Sequence, residues 1–398
     1  MNEAKNQTYI EMGEKAVSGT YGRYPICFQS GKGMYLKDVE GKTYLDFVAG
    51  IAVNALGHGD AKYAEVLKEQ ALELVHVSNL YWNEANIKLA ETLNKVSGLN
   101  KAFFCNSGAE ANEAALKFAR IYGEDKRGEI ITMSNSFHGR TMGALTLTGQ
   151  TKYQKSFAPL LGGVQYVPFN DAQALKASIT DQTVAIMLEV IQGEGGIVEI
   201  EAAFSHEVKA ICKEKDILLI VDEVQTGIGR TGTYFGFQNY GLKPDIVSCA
   251  KGLGGGFPIG ATLVSEKVAQ KLYPSCHAST FGGTALASAA ANYVLGEIQK
   301  RELLAHVQEM GAYLTEQLQH LKSKYPAILD IRGKGLIQGI QIDDGLPTGK
   351  IVENAMTKGL LLVGAGHQVI RFVPPLIVQK GHVDEMIGIL SEVLETLK

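Results

Sequence analysis

Ile217-Leu218-Leu219-Ile220-Val221-Asp222-Glu223-Val224-Gln225 ends an apolar run on a carboxylate, and Ser248-Cys249-Ala250-Lys251-Gly252-Leu253-Gly254-Gly255-Gly256 ends another on an amine. Both runs have the length and composition of buried strands, so Asp222 and Lys251 should emerge together at the carboxyl edge of one sheet. Open α/β sheets bind their ligands at that edge. An amine beside a carboxylate is what a pyridoxal 5'-phosphate (PLP) site requires: the lysine holds the aldehyde covalently, and the carboxylate keeps the pyridine nitrogen protonated so that the ring accepts electrons.

The chain of 398 residues is too long for one small core and implies roughly two or three packing units. Hydrophobic residues make up 45% and charged residues 20%, an ordinary globular composition. A net charge of -4 gives no reason to expect nucleic acid or an anionic membrane as partner. Glycine is enriched, with 45 residues where about 7% is typical, and it clusters at expected strand-helix junctions. The five cysteines are scattered and odd in number, with no C-x-x-C, which argues against a disulfide framework and a zinc site. The beginning Met-Asn-Glu-Ala-Lys-Asn-Gln lacks the apolar core of a signal peptide, and no apolar stretch approaches ~18 residues. A reducing, cytoplasmic compartment is expected.

Residues 33–48 alternate around a turn at 38–41 and predict a hairpin. From about residue 100 the pattern becomes strand-loop-helix, with strands expected at 101–105, 129–133, 184–189, 217–221, 245–249 and 261–264. Such alternation implies an α/β fold with a largely parallel sheet and helices on both faces. A long helical run follows residue 285. The expected division is 1–48 as part of a small domain, 49–285 as the large cofactor-binding domain and 286–398 as the rest of the small α+β domain.

Asn106-Ser107-Gly108-Ala109-Glu110 leads from a strand end through a glycine turn into an amphipathic helix. A helix N-terminus with free amides and a hydroxyl suits a phosphate, although Ser107 would also serve as a plain cap. Phe137, just past another strand end, is placed to stack on a ring, and Arg140 to clamp a substrate carboxylate through its planar fork; the bland alternatives are a core phenylalanine and a solvated arginine. Glu194 lies in the glycine-rich Gly193-Glu194-Gly195-Gly196, and Arg371 precedes Pro374-Pro375, as a second clamp or as half of a structural ion pair. His58, His138 and His277 lack metal-ligand spacing.

Together, residues 106–120, 137–141, 222–227, 248–256 and His277-Ala278-Ser279-Thr280-Phe281-Gly282-Gly283 resemble the class III, fold-type-I PLP aminotransferases over nearly the whole chain. That resemblance implies that Lys251 carries the cofactor and shuttles the proton, and that Asp222 pairs with the ring nitrogen. Val224 and Phe137 would sandwich the ring, and Gln225 would donate to its phenolic oxygen, with Glu223 counted among the cofactor contacts. Ser107, Gly108 and Ala109 would bind the phosphate, joined by Thr280 from the other subunit of a homodimer. Arg140 would take the substrate α-carboxylate, with Ser279 and Tyr21 as further substrate contacts. Arg371 would hold the α-carboxylate of glutamate and 2-oxoglutarate, gated by Glu194.

Residues 46–58, 78–81 and 191–196 point within the family to N2-acetylornithine as amino donor and 2-oxoglutarate as acceptor. Two departures matter. Ala109 replaces the threonine or valine of many relatives, so only its backbone amide can reach a phosphate. Ile51 stands near where ornithine-specific members carry a tyrosine, which weighs against free ornithine. Ornithine, 4-aminobutyrate and succinyl-diaminopimelate remain open as donors, because the same arginine and glutamate gate serves them all. An aminomutase is disfavoured by Arg371, and a cofactor-free relative by the presence of Lys251 and Asp222.

Overall fold

The computed structural model describes residues 5–397. A seven-stranded sheet lies at its centre, in the spatial order Lys101–Cys105, Gly260–Val264, Ile246–Cys249, Leu218–Asp222, Thr183–Leu188, Glu129–Met133 and Val164–Val167. Gly260–Val264 runs antiparallel to both neighbours, and the remaining strands share one direction. The strand residues alternate between two packed faces. Ile186, Leu188, Leu219 and Val221 enter one hydrophobic cluster, while Ala185, Met187, Leu218 and Ile220 enter the other. With both faces covered, Thr183–Leu188 and Leu218–Asp222 are buried at every position, and so they read as unbroken apolar runs rather than alternating ones.

The register sets the chemistry at the edge. Ile220, Val221 and Asp222 lie beside Ile246, Val247 and Ser248, so the carboxylate and the lysine three residues beyond Ser248 leave the sheet side by side. The helix Gly108–Tyr122 follows the strand Lys101–Cys105 and buries Ala111, Ala114, Ala115, Phe118 and Ala119. The four alanines let it lie close against the sheet.

Two smaller four-stranded sheets flank this core. One joins Phe28–Lys32, Tyr35–Asp38 and Thr43–Asp46 to the distant Leu360–Leu361. The other comprises Ile328–Lys334, Ile337–Ile342, Val369–Phe372 and Val363–Ala365, and it carries Arg371. The hairpin expected at 33–48 and the helix expected after 285 (Ala285–Lys300) are both present. The strands Val164–Val167 and Phe28–Lys32 were not legible: each lies at a sheet edge and is largely unburied, so it carries little apolar pattern. Asp222 proves to be the last strand residue rather than the first beyond it. Among the described residues no helix is long and apolar enough to cross a membrane, and no group of three or more His, Cys, Asp or Glu side chains is placed to hold a metal ion.

The long helix Leu303–Lys324 approaches the turn at Gly335 through Gly311. A Cβ on Gly311 would stand 2.6 Å from the Gly335 carbonyl oxygen, and Gln338 Nε2 donates to both Gly311 O (2.7 Å) and Gly335 O (2.8 Å). Alanine is worth about 1 kcal/mol more than glycine within a helix, yet here the obstacle is backbone. Gly311→Ala should therefore lower stability, by about 1–3 kcal/mol, in urea unfolding; a more stable variant would refute the close approach.

Candidate active site

Asp222 is 3% exposed, and both of its oxygens are hydrogen-bonded, with Oδ1 keeping one lone pair spare. Oδ2 accepts from Asn112 Nδ2 at 2.8 Å and lies 2.7 Å from His138 Nδ1; Oδ1 accepts from the Val224 amide at 2.9 Å. An ionised carboxylate only accepts, so Nδ1 of His138 must carry the proton in this contact. Asn112 also donates to the His138 carbonyl at 2.7 Å, which locks helix and loop together. His138 Nε2 and Asn112 Oδ1 are buried without a partner among the described residues.

Facing this carboxylate is the N-terminus of Gly108–Tyr122. Ser107 Oγ accepts from the Glu110 amide at 3.2 Å and caps the helix, and Glu110 reaches back to accept from the amide of Asn106, one residue before the cap, at 2.6 Å. The Gly108 and Ala109 amides, which have no acceptor within the helix, border the same cavity. A Cβ on Gly108 would stand 2.6 Å from Val224 Cγ1, so glycine is what lets Val224 lie against the helix start.

Lys251 adopts a left-handed φ of 47° as it enters the cavity. Burial pushes its amine below the ordinary lysine range; Glu194 opposes that shift and Arg371 adds to it. A lowered amine pKa suits a nucleophile and base. Gln225, which also borders the cavity, accepts from Arg371 Nη1 at 2.9 Å. The same Nη1 donates to Gly193 O at 3.1 Å and to Glu194 Oε1 at 2.6 Å. Burial raises the Glu194 carboxyl, but Arg371, with Lys251 and Lys152, outweighs it and holds Glu194 below its usual range.

Phe137 and Arg140 also line the cavity. The guanidinium carbon of Arg140 lies 4.0 Å from the Tyr153 ring centroid and 5.6 Å from that of Phe137, and Phe137 meets Tyr153 edge to face. Arg140 has no hydrogen-bond or ion-pair partner among the described residues. Glu189 also borders the cavity; burial raises its carboxyl to about 7, with His138 opposing and Asp222 reinforcing the shift.

One cavity of about 390 Å³ thus gathers Ser107, Gly108, Ala109, Phe137, Arg140, Asp222, Val224, Gln225 and Lys251. Arg371 and Glu194 adjoin it through Gln225. Glu223 does not belong there. Its carboxylate accepts from Thr226 Oγ1 (2.7 Å), the Gly236 amide (2.8 Å) and the Phe237 amide (2.6 Å) on the far side, and burial raises it to about 7 despite those donors. In a strand-like stretch adjacent residues point to opposite sides, so Asp222 inward means Glu223 outward. Ser279 and Thr280 line a separate cavity of about 500 Å³ with Glu110, Glu113 and Lys117. Tyr21 is 73% exposed and pairs with Arg23 rather than with the site. Ile51 sits in a left-handed turn with Ala49, Gly50 and Ala52. Asn112, His138 and Glu189 are the residues that sequence reasoning passed over. Asn112 carries a readable signal, as the one amide among the alanines of a buried helix face, one turn past Gly108.

These groups fit PLP. Free amides at a helix start suit a dianionic phosphate, apolar Val224 and Phe137 suit the faces of a flat ring, a buried and well-held carboxylate suits a protonated ring nitrogen, and a buried lysine with a lowered pKa suits an aldehyde. The sequence matches the aminotransferase class-III family over residues 16–394, and the chain belongs to that family. It is a PLP-dependent transaminase, acting on an amino acid and a 2-oxo acid. It is 52% identical to the acetylornithine aminotransferase of Caldanaerobacter subterraneus over 97% of this chain and 98% of that one. It is 45% identical to that of Bacillus subtilis, over 94% and 96%. Among solved structures it superposes on N-acetylornithine aminotransferase from Stenotrophomonas maltophilia with a TM-score of 0.84 at 35% identity, over 97% and 98% of the two chains. It also superposes on ornithine aminotransferase from Toxoplasma gondii with a TM-score of 0.95 at 28% identity, over 99% and 96%.

His138→Ala removes one of the two side chains that hold Asp222 Oδ2. Cofactor should still bind, with its visible absorbance retained, while kcat should fall by about 10- to 100-fold, the usual loss when a group that orients a site residue is removed. Wild-type kcat in this variant would show that Asn112 and the Val224 amide suffice to hold the carboxylate.

Proposed function

We propose that this transaminase moves the δ-amino group of N2-acetyl-L-ornithine to 2-oxoglutarate, giving N-acetyl-L-glutamate 5-semialdehyde and L-glutamate, a step of arginine biosynthesis in the cytoplasm. The observation that carries the reading is the unequal state of the two arginines. Arg371 is neutralised by Glu194, whereas Arg140 presents a free fork on the Tyr153 ring. A donor whose reacting amine is far from its α-carboxylate needs a clamp at the far end and none near the lysine. An acceptor with an α-carboxylate needs the near clamp. Arg140 serves the first and Arg371, once Glu194 releases it, the second. The identity to acetylornithine aminotransferases supports this donor, and Ile51 in place of a tyrosine favours an acylated donor over free ornithine.

When bound, PLP supplies an electron sink and a carrier for the amino group. Lys251, whose amine burial holds below the ordinary lysine range, would remove the proton from the donor Cδ and later deliver one to the acceptor Cα. Asp222, fixed by His138, Asn112 and the Val224 amide, would pair with the ring nitrogen. Phe137 and Val224 would hold the ring, the Gly108 and Ala109 amides the phosphate, and Gln225 the phenolic oxygen. Lys251→Ala should lose both the visible band and turnover.

Arg140→Lys should impair the acetylornithine half-reaction most, because an ammonium cannot reproduce a bidentate fork. Arg371→Lys should impair the 2-oxoglutarate half-reaction most, and Glu194→Ala should speed α-amino donors relative to acetylornithine. Single-turnover absorbance separates the two halves. Equal damage to both by either arginine variant would defeat the two-clamp reading, and faster wild-type turnover of 4-aminobutyrate, ornithine or succinyl-diaminopimelate would defeat the donor assignment.

The working unit is proposed to be a homodimer in which Thr280 reaches the partner's phosphate. Two features support this: Thr280 lies outside its own chain's Lys251 cavity, and Leu72, Leu80, Tyr81 and Trp82 form an exposed apolar stretch of 70–88% accessibility. The division at 1–48, 49–285 and 286–398 belongs to the same reading, with the interface on the large domain. Mixing Lys251→Ala with Thr280→Ala subunits should restore one intact site per heterodimer; no recovery would mean that Thr280 acts within its own chain.

A further inference from the structure

Glu189 takes part in none of the roles assigned so far. It follows the strand Thr183–Leu188 and is 5% exposed. Its Oε2 accepts from the Phe137 amide at 3.1 Å, and its Oε1 accepts from the Gly193 amide at 3.2 Å. The two amides belong to different segments: Phe137 lies in the loop that forms one wall of the cavity, and Gly193 immediately precedes the gating Glu194. The Gly193 carbonyl in turn accepts from Arg371 Nη1 at 3.1 Å. One side chain therefore joins the ring-stacking wall to the gate.

Arg371 Nη1 has three acceptors in this structure: Gly193 O, Glu194 Oε1 and Gln225 Oε1. When Glu194 swings away to admit an acceptor, only Gly193 O and Gln225 Oε1 remain to hold a guanidinium that is 1% exposed. A backbone carbonyl in a loop with glycine at 193, 195 and 196 holds nothing unless the loop is itself held. Glu189 supplies that restraint at the Gly193 amide, on the other side of the same residue. A carboxylate is suited to this work because it offers two acceptor oxygens and no donor, whereas a glutamine in its place would satisfy one amide and confront the other with its own NH2.

We infer that Glu189 is a positioning residue that pins the Gly193 backbone to the Phe137 loop, so that Arg371 stays in place for a dicarboxylate while the Glu194 side chain alone moves. This deepens the two-clamp reading and rests on it. Binding through Arg371 should depend on Glu189, and binding through Arg140 should not.

The test uses the cofactor-loaded enzyme and two unreactive probes whose affinities are measured by calorimetry. Glutarate stands for the dicarboxylate acceptor, and N-acetyl-L-norvaline stands for acetylornithine without its amine. In Glu189→Gln and Glu189→Ala, glutarate should bind at least fivefold more weakly, while N-acetylnorvaline should change less than twofold. Single-turnover rates should follow the same split, with the 2-oxoglutarate half falling at least tenfold and the acetylornithine half no more than threefold. Unchanged glutarate binding would overturn the inference, as would equal weakening of both probes, which is what general loosening of the site produces. The near-isosteric glutamine variant decides the matter if the alanine variant does not fold. Failure of wild-type enzyme to bind N-acetylnorvaline would instead sink the donor assignment, leaving the glutarate comparison to judge Glu189.

Discussion

The buried carboxylate of Asp222 is the constraint around which the site is arranged. A charge in an apolar interior is expensive unless every lone pair is used and an opposite charge is near. Here a helix amide, a loop histidine and a backbone amide converge on it, and each comes from a different element. Satisfying this one group fixes the helix Gly108–Tyr122 against the loop at 137–140 and against the end of Leu218–Asp222. The phosphate cradle, the stacking wall and the carboxylate therefore keep one geometry, and a cationic ring nitrogen can complete the charge balance that the protein leaves open.

A second charge problem is solved differently. Arg371 is as deeply buried as Asp222, but its neutralising partner is Glu194, whose side chain is 23% exposed. One member of the pair is thus immobile and the other sits where solvent allows movement. In the two-clamp proposal, specificity for two unlike substrates would follow from that asymmetry, because the carboxylate of the acceptor would need only to displace a group already near water. The cost of separating the pair would then be offset by the incoming carboxylate taking Glu194's place.

Much of this was legible in the sequence, for identifiable reasons. The central strands were readable because both faces are buried, and Asp222 and Lys251 because they are polar residues at the ends of apolar runs. The edge strands Val164–Val167 and Phe28–Lys32 lack such burial and left no pattern. Glu223 was misplaced because adjacency in sequence does not give the direction in which a side chain points; its carboxylate caps the turn at Gly236–Tyr240 instead. His138 and Glu189 escaped because their importance lies in partners 84 and 52 residues away, a separation that no local spacing encodes. Tyr21 and Thr280 were placed by resemblance, and neither borders the Lys251 cavity of its own chain.

The pairing of Leu360–Leu361 with Thr43–Asp46 has a consequence for the birth of the protein. The strand that covers the edge of the hairpin ending in Thr43–Asp46 is synthesised about 300 residues after it. At about 5–20 residues per second the wait is on the order of tens of seconds, during which an unpaired strand edge is available to any passing chain. Productive folding in the cell should therefore depend on shielding of the nascent hairpin, and loss of Leu360–Leu361 should harm the distant strand Thr43–Asp46 as much as its own neighbourhood.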